Sequence, residues 1–139
     1  GYFGEVPIID DYAHHPTEIR TSLAGVRQKY PNKRIITVFH PHTYSRTSAL
    51  LEEFARSFED SDEVVVLDIY GSAREEQGGV HSRDLVEKMK KRSNVTQLSY
   101  IPTLEDGEQY LRNSVAPGDL ILLMGAGDVF RIGKNMIDD

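Results

Sequence analysis

Five short apolar runs divide the sequence, at residues 6–9, 34–39, 64–67, 95–101 and 120–124. Four of them are continuous and rich in Val, Ile and Leu, which is typical of parallel strands covered on both faces. The run at 95–101 alternates between apolar and polar side chains, and this makes it the best candidate for an antiparallel edge strand.

Helical periodicity fills the intervals between the runs. Ile19, Leu23 and Val26 recur at three- to four-residue spacing after Pro16, which suits a first helical turn. Four further helices are predicted, marked by an apolar stripe at 50–58, a cap at Ser82, a cap at Thr103 and the segment after Asp128. The alternation predicts an α/β fold: a Rossmann-like, doubly wound, mostly parallel sheet of five to six strands, with helices on both faces, in one domain spanning 1–139.

Composition restricts the classes of function. The chain has 139 residues, a net charge of −6 and no Cys. The negative charge and the lack of a basic stripe argue against nucleic acid and anionic membranes as partners. Without Cys there is no disulfide, thiolate metal site or nucleophilic thiol. No apolar run approaches the roughly 18–20 residues of a membrane span, and we expect a cytoplasmic protein.

Reactive side chains concentrate in the loops that follow the apolar runs. In an open α/β sheet these loops meet beyond the carboxyl ends of the strands, where ligands bind. They read DDYAHHP at 10–16, HPHTYSRT at 40–47 and GAGD at 125–128. Four of the five His residues lie in the first two loops. The sequence therefore predicts a site at this edge.

The same side chains have ordinary structural interpretations. Either aspartate of the first loop can end a strand and accept bonds from turn amides. His15 can be a helix-entry residue, Thr17 or Thr47 can cap a helix, and His40 can be a packed core or loop histidine. The segment 125–127 matches only part of a dinucleotide-binding fingerprint, so we interpret it as a backbone turn near a ligand.

The coincidence of these residues at one edge favours a binding site. Arg46 offers a fixed fork of donors for a carboxylate or phosphate, and His42 is a switchable donor. Asp11 can accept bonds from a ribose diol, and Tyr12 can shape a small pocket and donate one hydrogen bond. Such a set suits a small amino acid and a nucleotide.

Two other classes of protein use similar residues. A metal-dependent hydrolase would use the His/Asp cluster, namely His14, His15, His40, His42, Asp10 and Asp11. Adjacent histidines rarely reach one ion together, which weakens that alternative. A phosphoacceptor receiver domain would use an acid pair and Asp68, but it also needs a Lys where this chain has Gly125.

Residues 10–18, DDYAHHPTE, and 39–47, FHPHTYSRT, form two long motifs. In this order they resemble the C-terminal domain of the Mur ligase family, in the branch that joins L-alanine to UDP-N-acetylmuramate. DIYGSARE at 68–75 and MGAGD at 124–128 extend the resemblance over nearly the whole chain. A sister branch, which recycles murein tripeptide onto the same nucleotide sugar, shares much of the first motif and stays the alternative.

The resemblance implies the closing domain of a three-domain, ATP-dependent ligase that works through an acyl phosphate. Its partners would be UDP-N-acetylmuramate, L-alanine, ATP and its own N-terminal and central domains. ATP and Mg would be bound mainly by the central domain, and this sequence indeed lacks the phosphate-binding motif G-x-x-x-x-G-K-S/T. The isolated domain is expected to be inactive and to hold no metal.

The resemblance also implies roles for particular residues. Asp11 would contact the ATP ribose, while Tyr12, His42 and Arg46 would line the site for alanine and the acyl phosphate. His14 and His15 would lie near the phosphates. The pocket wall would consist of Gly125, Ala126, Gly127 and Asp128. The family often has Gln in place of His40 and Arg in place of Thr43.

Overall fold

The computed structural model describes residues 1–70 and 79–138, so residues 71–75 of the third motif lie outside the described part. In chain order the strands are β1 (Tyr2–Phe3), β2 (Val6–Asp11), β3 (Arg34–Phe39), β4 (Glu63–Val66), β5 (Gln97–Tyr100) and β6 (Asp119–Met124). The helices are α1 (Pro16–Lys29), α2 (Tyr44–Ala49), α3 (Leu51–Ala55), α4 (Ser82–Arg92), α5 (Leu104–Ser114) and α6 (Phe130–Ile137). Within the described ranges, no helix has both the length and the hydrophobicity that a membrane span requires.

The strands form one sheet in the order β1-β2-β6-β3-β4-β5. All neighbouring pairs are parallel except β1 and β2. The chain advances from β2 through β3 and β4 to β5, and then returns to insert β6 between β2 and β3. This reversal is the topological switch point, beside which ligands bind in doubly wound sheets.

Two apolar layers cover the sheet. Helices α1, α3 and α4 pack on one face, and α5 and α6 pack on the other. Strand β6 supplies both layers, because Leu120, Leu122 and Met124 join the first and Ile121 and Leu123 join the second. A strand that is buried on both faces needs apolar side chains at every position, which explains the continuous run in the sequence.

The predicted class is confirmed, and the antiparallel edge lies elsewhere than expected. The interpretation of residues 95–101 as antiparallel is wrong, because β5 pairs parallel with β4. Its alternation arises because an edge strand is only partly covered, whatever its direction. The antiparallel edge is β1, whose two residues are too few to show a period.

Helices α1, α2, α4 and α5 start at side-chain caps, and the sequence predicted some of them. The hydroxyl of Thr103 accepts the N–H of Asp106 at 3.1 Å, as expected. Ser82 is not a cap: Nδ1 of His81 accepts the N–H of Arg83 at 3.0 Å, and the Ser82 hydroxyl donates to the carbonyl of Leu67. The sequence did not indicate His81 as the cap, because histidine is not among the usual capping residues.

The second loop holds a further difference. The stripe at 50–58 does not form one continuous helix, because α3 covers only Leu51–Ala55; Leu50 is the cap residue shared by α2 and α3. Thr43 caps α2 and His15 caps α1, so neither Thr17 nor Thr47 is a cap.

A buried carboxylate joins the amino ends of the strands, opposite the predicted site. Glu63 is 4% exposed, and Nη2 of Arg34 donates to its Oε1 at 2.5 Å. The hydroxyl of Tyr110 on α5 donates to Oε2 of the same carboxylate, and this hydrogen bond raises the pKa of Tyr110. A buried carboxylate needs such partners, because removing one leaves part of its charge unsatisfied.

We predict that Tyr110→Phe lowers the free energy of unfolding by about 1–3 kcal/mol, the usual cost of depriving a buried charged group of one donor. Tyr2→Phe is the matched control, since Tyr2 is 62% exposed, and it should change stability by less than about 0.5 kcal/mol. Urea unfolding measures both. Equal stabilities for the two variants would remove this hydrogen bond from the account of the fold.

Candidate functional site

A cleft of about 560 Å³ opens at the carboxyl ends of β2 and β6, beside the switch point. Its lining comes from the loops that the sequence singled out, together with the start of α6. The lining residues are Asp10, Asp11, Tyr12, His42, Tyr70, Leu123, Gly125, Ala126, Gly127, Asp128, Val129 and Phe130. Seven of the ten predicted site residues therefore lie around one space.

The end of β2 forms the first wall. The carbonyl of Asp11 accepts the N–H of Gly125 at 3.1 Å, so the ladder between β2 and β6 continues to the floor of the cleft. Oδ1 of Asp11 accepts the N–H of Ala13 at 2.8 Å, which fixes the turn through Tyr12. This turn holds Tyr12 at the cleft, where the residue is 71% exposed to solvent.

The loop at 125–128 forms the second wall, and its path requires glycine. Gly125 has φ +146°, and a Cβ there would lie 2.7 Å from the carbonyl oxygen of His40. A Cβ on Gly127 would lie 3.3 Å from Nδ1 of His40. The backbone of this wall consequently rests on His40, at a distance that excludes a side chain at Gly125 and leaves little room for one at Gly127.

His42 and Tyr70 form the third wall. Their rings stack with centroids 5.2 Å apart and an interplanar angle of 17°. Two backbone bonds of 2.8 Å hold them together, from the N–H of Thr43 to the carbonyl of Tyr70 and from the N–H of Tyr70 to the carbonyl of Pro41. Thr43 has φ +68°, a strained value for a β-branched residue, and these bonds hold it there.

The cleft is acidic. Asp10, Asp11 and Asp128 line it, and the described lining includes neither Lys nor Arg. Desolvation raises the pKa of Asp10. An acidic and partly aromatic cleft favours a neutral group such as a ribose diol or a cation such as an ammonium group, and it disfavours a bare phosphate.

Three predicted residues lie outside the lining. Arg46 is half-buried on α2, and its backbone N–H donates to the hydroxyl of Thr43 at 3.2 Å. Nδ1 of His15 accepts the N–H of Thr17 at 3.3 Å as the cap of α1. Nδ1 of His14 lies 3.0 Å from the carbonyl oxygen of Tyr12. Both histidines thus have local structural contacts, and their placement near phosphates stays a prediction, as does the role of Arg46.

Two aromatic side chains line the cleft without having been predicted as site residues. Tyr70 and Phe130 are 44% and 46% exposed. A Phe at the start of a helix suggests core packing, and the only sequence signal for Phe130 is that it follows the GAGD loop closely. Tyr70 reaches the cleft through a backbone bridge to His42, which no periodicity reveals.

The metal-dependent hydrolase lacks a ligand set in this structure. Among residues 1–70 and 79–138, no three His, Asp or Glu side chains are grouped so that they could hold one metal ion. His15 uses Nδ1 as a cap, and His40 is buried. The His/Asp cluster of the sequence is therefore divided between the cleft lining, which has Asp10, Asp11 and His42, and positions outside it, which have His14, His15 and His40.

Similarity to known proteins decides the family. Residues 2–127 match the family described as Mur ligase, glutamate ligase domain. The chain belongs to the Mur ligase family. This Mur ligase domain is 45% identical over 140 residues to the UDP-N-acetylmuramate–L-alanine ligase of Acetivibrio thermocellus, and the match covers 100% of the chain and 29% of that relative.

Solved structures agree with the assignment to the Mur ligases. The UDP-N-acetylmuramate–alanine ligase of Thermotoga maritima superposes with a TM-score of 0.74 at 27% identity, over 94% of this chain and 26% of that one. The murein peptide ligase of Psychrobacter arcticus superposes with a TM-score of 0.78 at 20% identity, over 96% of this chain and 27% of that one. The second likeness shows the fold alone. The chain thus spans less than a third of these Mur ligases.

We predict that Gly125→Ala lowers the free energy of unfolding by about 1–3 kcal/mol, because the new Cβ meets the His40 carbonyl and the backbone conformation becomes strained. Gly25→Ala on α1 is the matched control, since nothing lies within 4 Å of a Cβ there, and it should stabilise the domain by about 0.4–1 kcal/mol. Thermal and urea unfolding measure both. A neutral Gly125→Ala would show that the loop does not need its close contact with His40.

Proposed function

We propose that this chain is the C-terminal, closing domain of an ATP-dependent ligase that joins L-alanine to UDP-N-acetylmuramate. The observation that carries the proposal is the single cleft in which Asp11, Tyr12, His42 and the loop at 125–128 meet. The 45% identity to an alanine-adding ligase along the entire chain supports the choice of substrate.

The charges around the cleft suit the incoming amino acid. Its ammonium group would be attracted by the acidic lining, in which Asp128 and Asp11 face one space. Its carboxylate needs a fixed cationic partner, and Arg46 on the neighbouring helix α2 is the group we assign to it. Once the ammonium has lost a proton to solvent, Tyr12 and His42 would orient the amine for attack on the carbonyl carbon of the acyl phosphate, whose C–O bond then breaks to release inorganic phosphate. The domain thereby contributes positioning and charge stabilisation.

The fit of ATP to this domain is partial. Asp11 can accept bonds from the ribose diol, and the exposed rings of Tyr12 and Phe130 can contact the nucleoside. The triphosphate finds no Lys or Arg in the described lining, and Mg finds no group of three carboxylate or His ligands in the described ranges. We therefore assign the triphosphate and Mg to a central domain, and the ribose to Asp11.

The role of Arg46 can be tested in the full-length ligase. We predict that Arg46→Ala lowers kcat/KM for L-alanine by the equivalent of about 2–4 kcal/mol, as expected when a charged group loses its partner. Arg56→Ala is the matched control, because the Arg56 side chain is 53% exposed and pairs only with Glu52 among the described residues. Unchanged kcat/KM in Arg46→Ala would remove this residue from the site.

The same assay separates the two branches of the family. The ligase should form product from UDP-N-acetylmuramate, ATP and L-alanine, and should use the murein tripeptide poorly. Preference for the tripeptide would place the chain in the recycling branch. Stoichiometric zinc, iron or manganese in the purified domain would instead support the alternative of a metal-dependent hydrolase.

The ribose contact can be tested by pairing a variant with an altered nucleotide. We predict that Asp11→Asn raises KM for ATP about tenfold, the cost of one charge-assisted hydrogen bond. With the 2′- and 3′-deoxy forms of ATP the variant should lose less than the wild type, since the removed hydroxyl no longer needs the carboxylate. Additive losses would show that Asp11 does not contact the ribose.

The isolated 139-residue chain should have neither ATPase nor ligase activity, because the groups proposed to hold the triphosphate and Mg belong to another domain. A coupled ADP-release assay on the pure chain measures this. Turnover above the buffer control that scales with protein concentration would overturn the assignment as a closing domain.

A further inference from the structure

His40 lies beneath the cleft, where two of its walls meet. It follows β3 directly, its N–H donates to the carbonyl of Met124 at 2.9 Å, and the residue is 8% exposed. Gly125 and Gly127 pack on its carbonyl and its ring. The imidazole and the Tyr70 ring meet in a T-shaped arrangement, with centroids 5.6 Å apart and an interplanar angle of 86°. The imidazole is therefore packed between the wall at 125–128 and the wall at Tyr70.

The ring has a polar atom without a partner. Nδ1 of His40 is buried and makes no hydrogen bond to the described residues. A buried polar atom in this condition is costly and calls for a structural or functional explanation. A Cβ on Gly127, one residue before Asp128, would lie 3.3 Å from Nδ1, so the loop backbone packs against this atom.

Charged groups from three loops act on this imidazole. Burial lowers the pKa of His40, as does His42, while Asp128 and Asp68 oppose the shift. Asp128 has the largest influence among these charges and ends the loop that rests on the ring. The neutral ring does not need the Asp128 carboxylate as an ionic partner, whereas a buried imidazolium would need such a counter-charge.

We propose that neutral His40 is a positioning residue that fixes the wall at 125–128 against Tyr70, and that its protonation draws the Asp128 carboxylate out of the cleft. The amino acid then loses an anionic group that faces its ammonium. His40 touches no substrate in this scheme and acts through Asp128 and the loop. The identity of the amino acid rests on the proposed function, whereas the movement of the loop does not.

The movement can be measured by NMR on the 139-residue chain. As the pH falls through the midpoint of the His40 imidazole, below the ordinary value for histidine, the amide signals of Gly127 and Asp128 and the ring signals of Tyr70 should shift with that same midpoint. His40→Gln, which keeps a polar end but cannot become cationic, should abolish this transition. Loop and Tyr70 signals that ignore the His40 midpoint would overturn the proposal.

The consequence can be measured in the full-length ligase. KM for L-alanine should rise by up to about tenfold per pH unit below the His40 midpoint with kcat unchanged, because the fraction with protonated His40 lacks the Asp128 carboxylate in the cleft and binds the amino acid more weakly. This rise in KM at low pH is the acid limb of the pH profile, and His40→Gln should remove it. His81→Gln is the matched control, since its side chain is 49% exposed and caps α4 away from the cleft, and it should retain the limb.

The NMR titration and the kinetic assay distinguish a failure of the proposed function from a failure of the role proposed for His40. If the ligase does not use L-alanine, the proposed function is wrong and the NMR titration alone decides the role of His40. If the ligase uses L-alanine but His40→Gln keeps the wild-type limb, or His81→Gln loses it, the positioning role is wrong. If His40→Gln does not fold, the wild-type titration still links the imidazole to the loop or separates them.

Discussion

Strand β6 lies between β2 and β3, and every part of the cleft depends on this insertion. Because β6 is buried on both faces, its apolar side chains join the layer under α1, α3 and α4 to the layer under α5 and α6. Its parallel pairing with β2 and β3 brings the loops after all three strands to one edge. The burial that stabilises the fold therefore also assembles the site.

Close backbone contact continues this constraint into the cleft. The N–H of Gly125 bonds to Asp11, and the N–H of His40 bonds to Met124, so the loops leave the sheet already tied to their neighbours. Gly125 and Gly127 let the second wall lie on His40 without side chains between them. A site built this way needs little ordering when a ligand enters, which suits a domain that contributes positioning to catalysis.

The sequence predicted what depends on residue type and local period. Continuous apolar runs indicated buried parallel strands, and the loops after them indicated the edge at which Asp11, His42 and Gly125 meet. Strand order, by contrast, depends on long-range pairing, so the place of β6 was not predictable. Two-residue β1 carries no period, and the histidine cap at position 81 has no common sequence signature. Phe130 lines the cleft only because α6 begins there. The sequence does not reveal this, since a Phe at the start of a helix suggests core packing.

The contacts of bound ligands test the central claim most directly. A crystal structure of the full-length ligase with a non-hydrolysable ATP analogue and L-alanine would locate both ligands relative to the carboxyl edge of the sheet. We expect a ribose hydroxyl within hydrogen-bonding distance of the Asp11 carboxylate and the amino acid against the wall formed by residues 125–128. Ligands bound away from the ends of β2, β3 and β6, with this cleft filled only by solvent, would contradict the account.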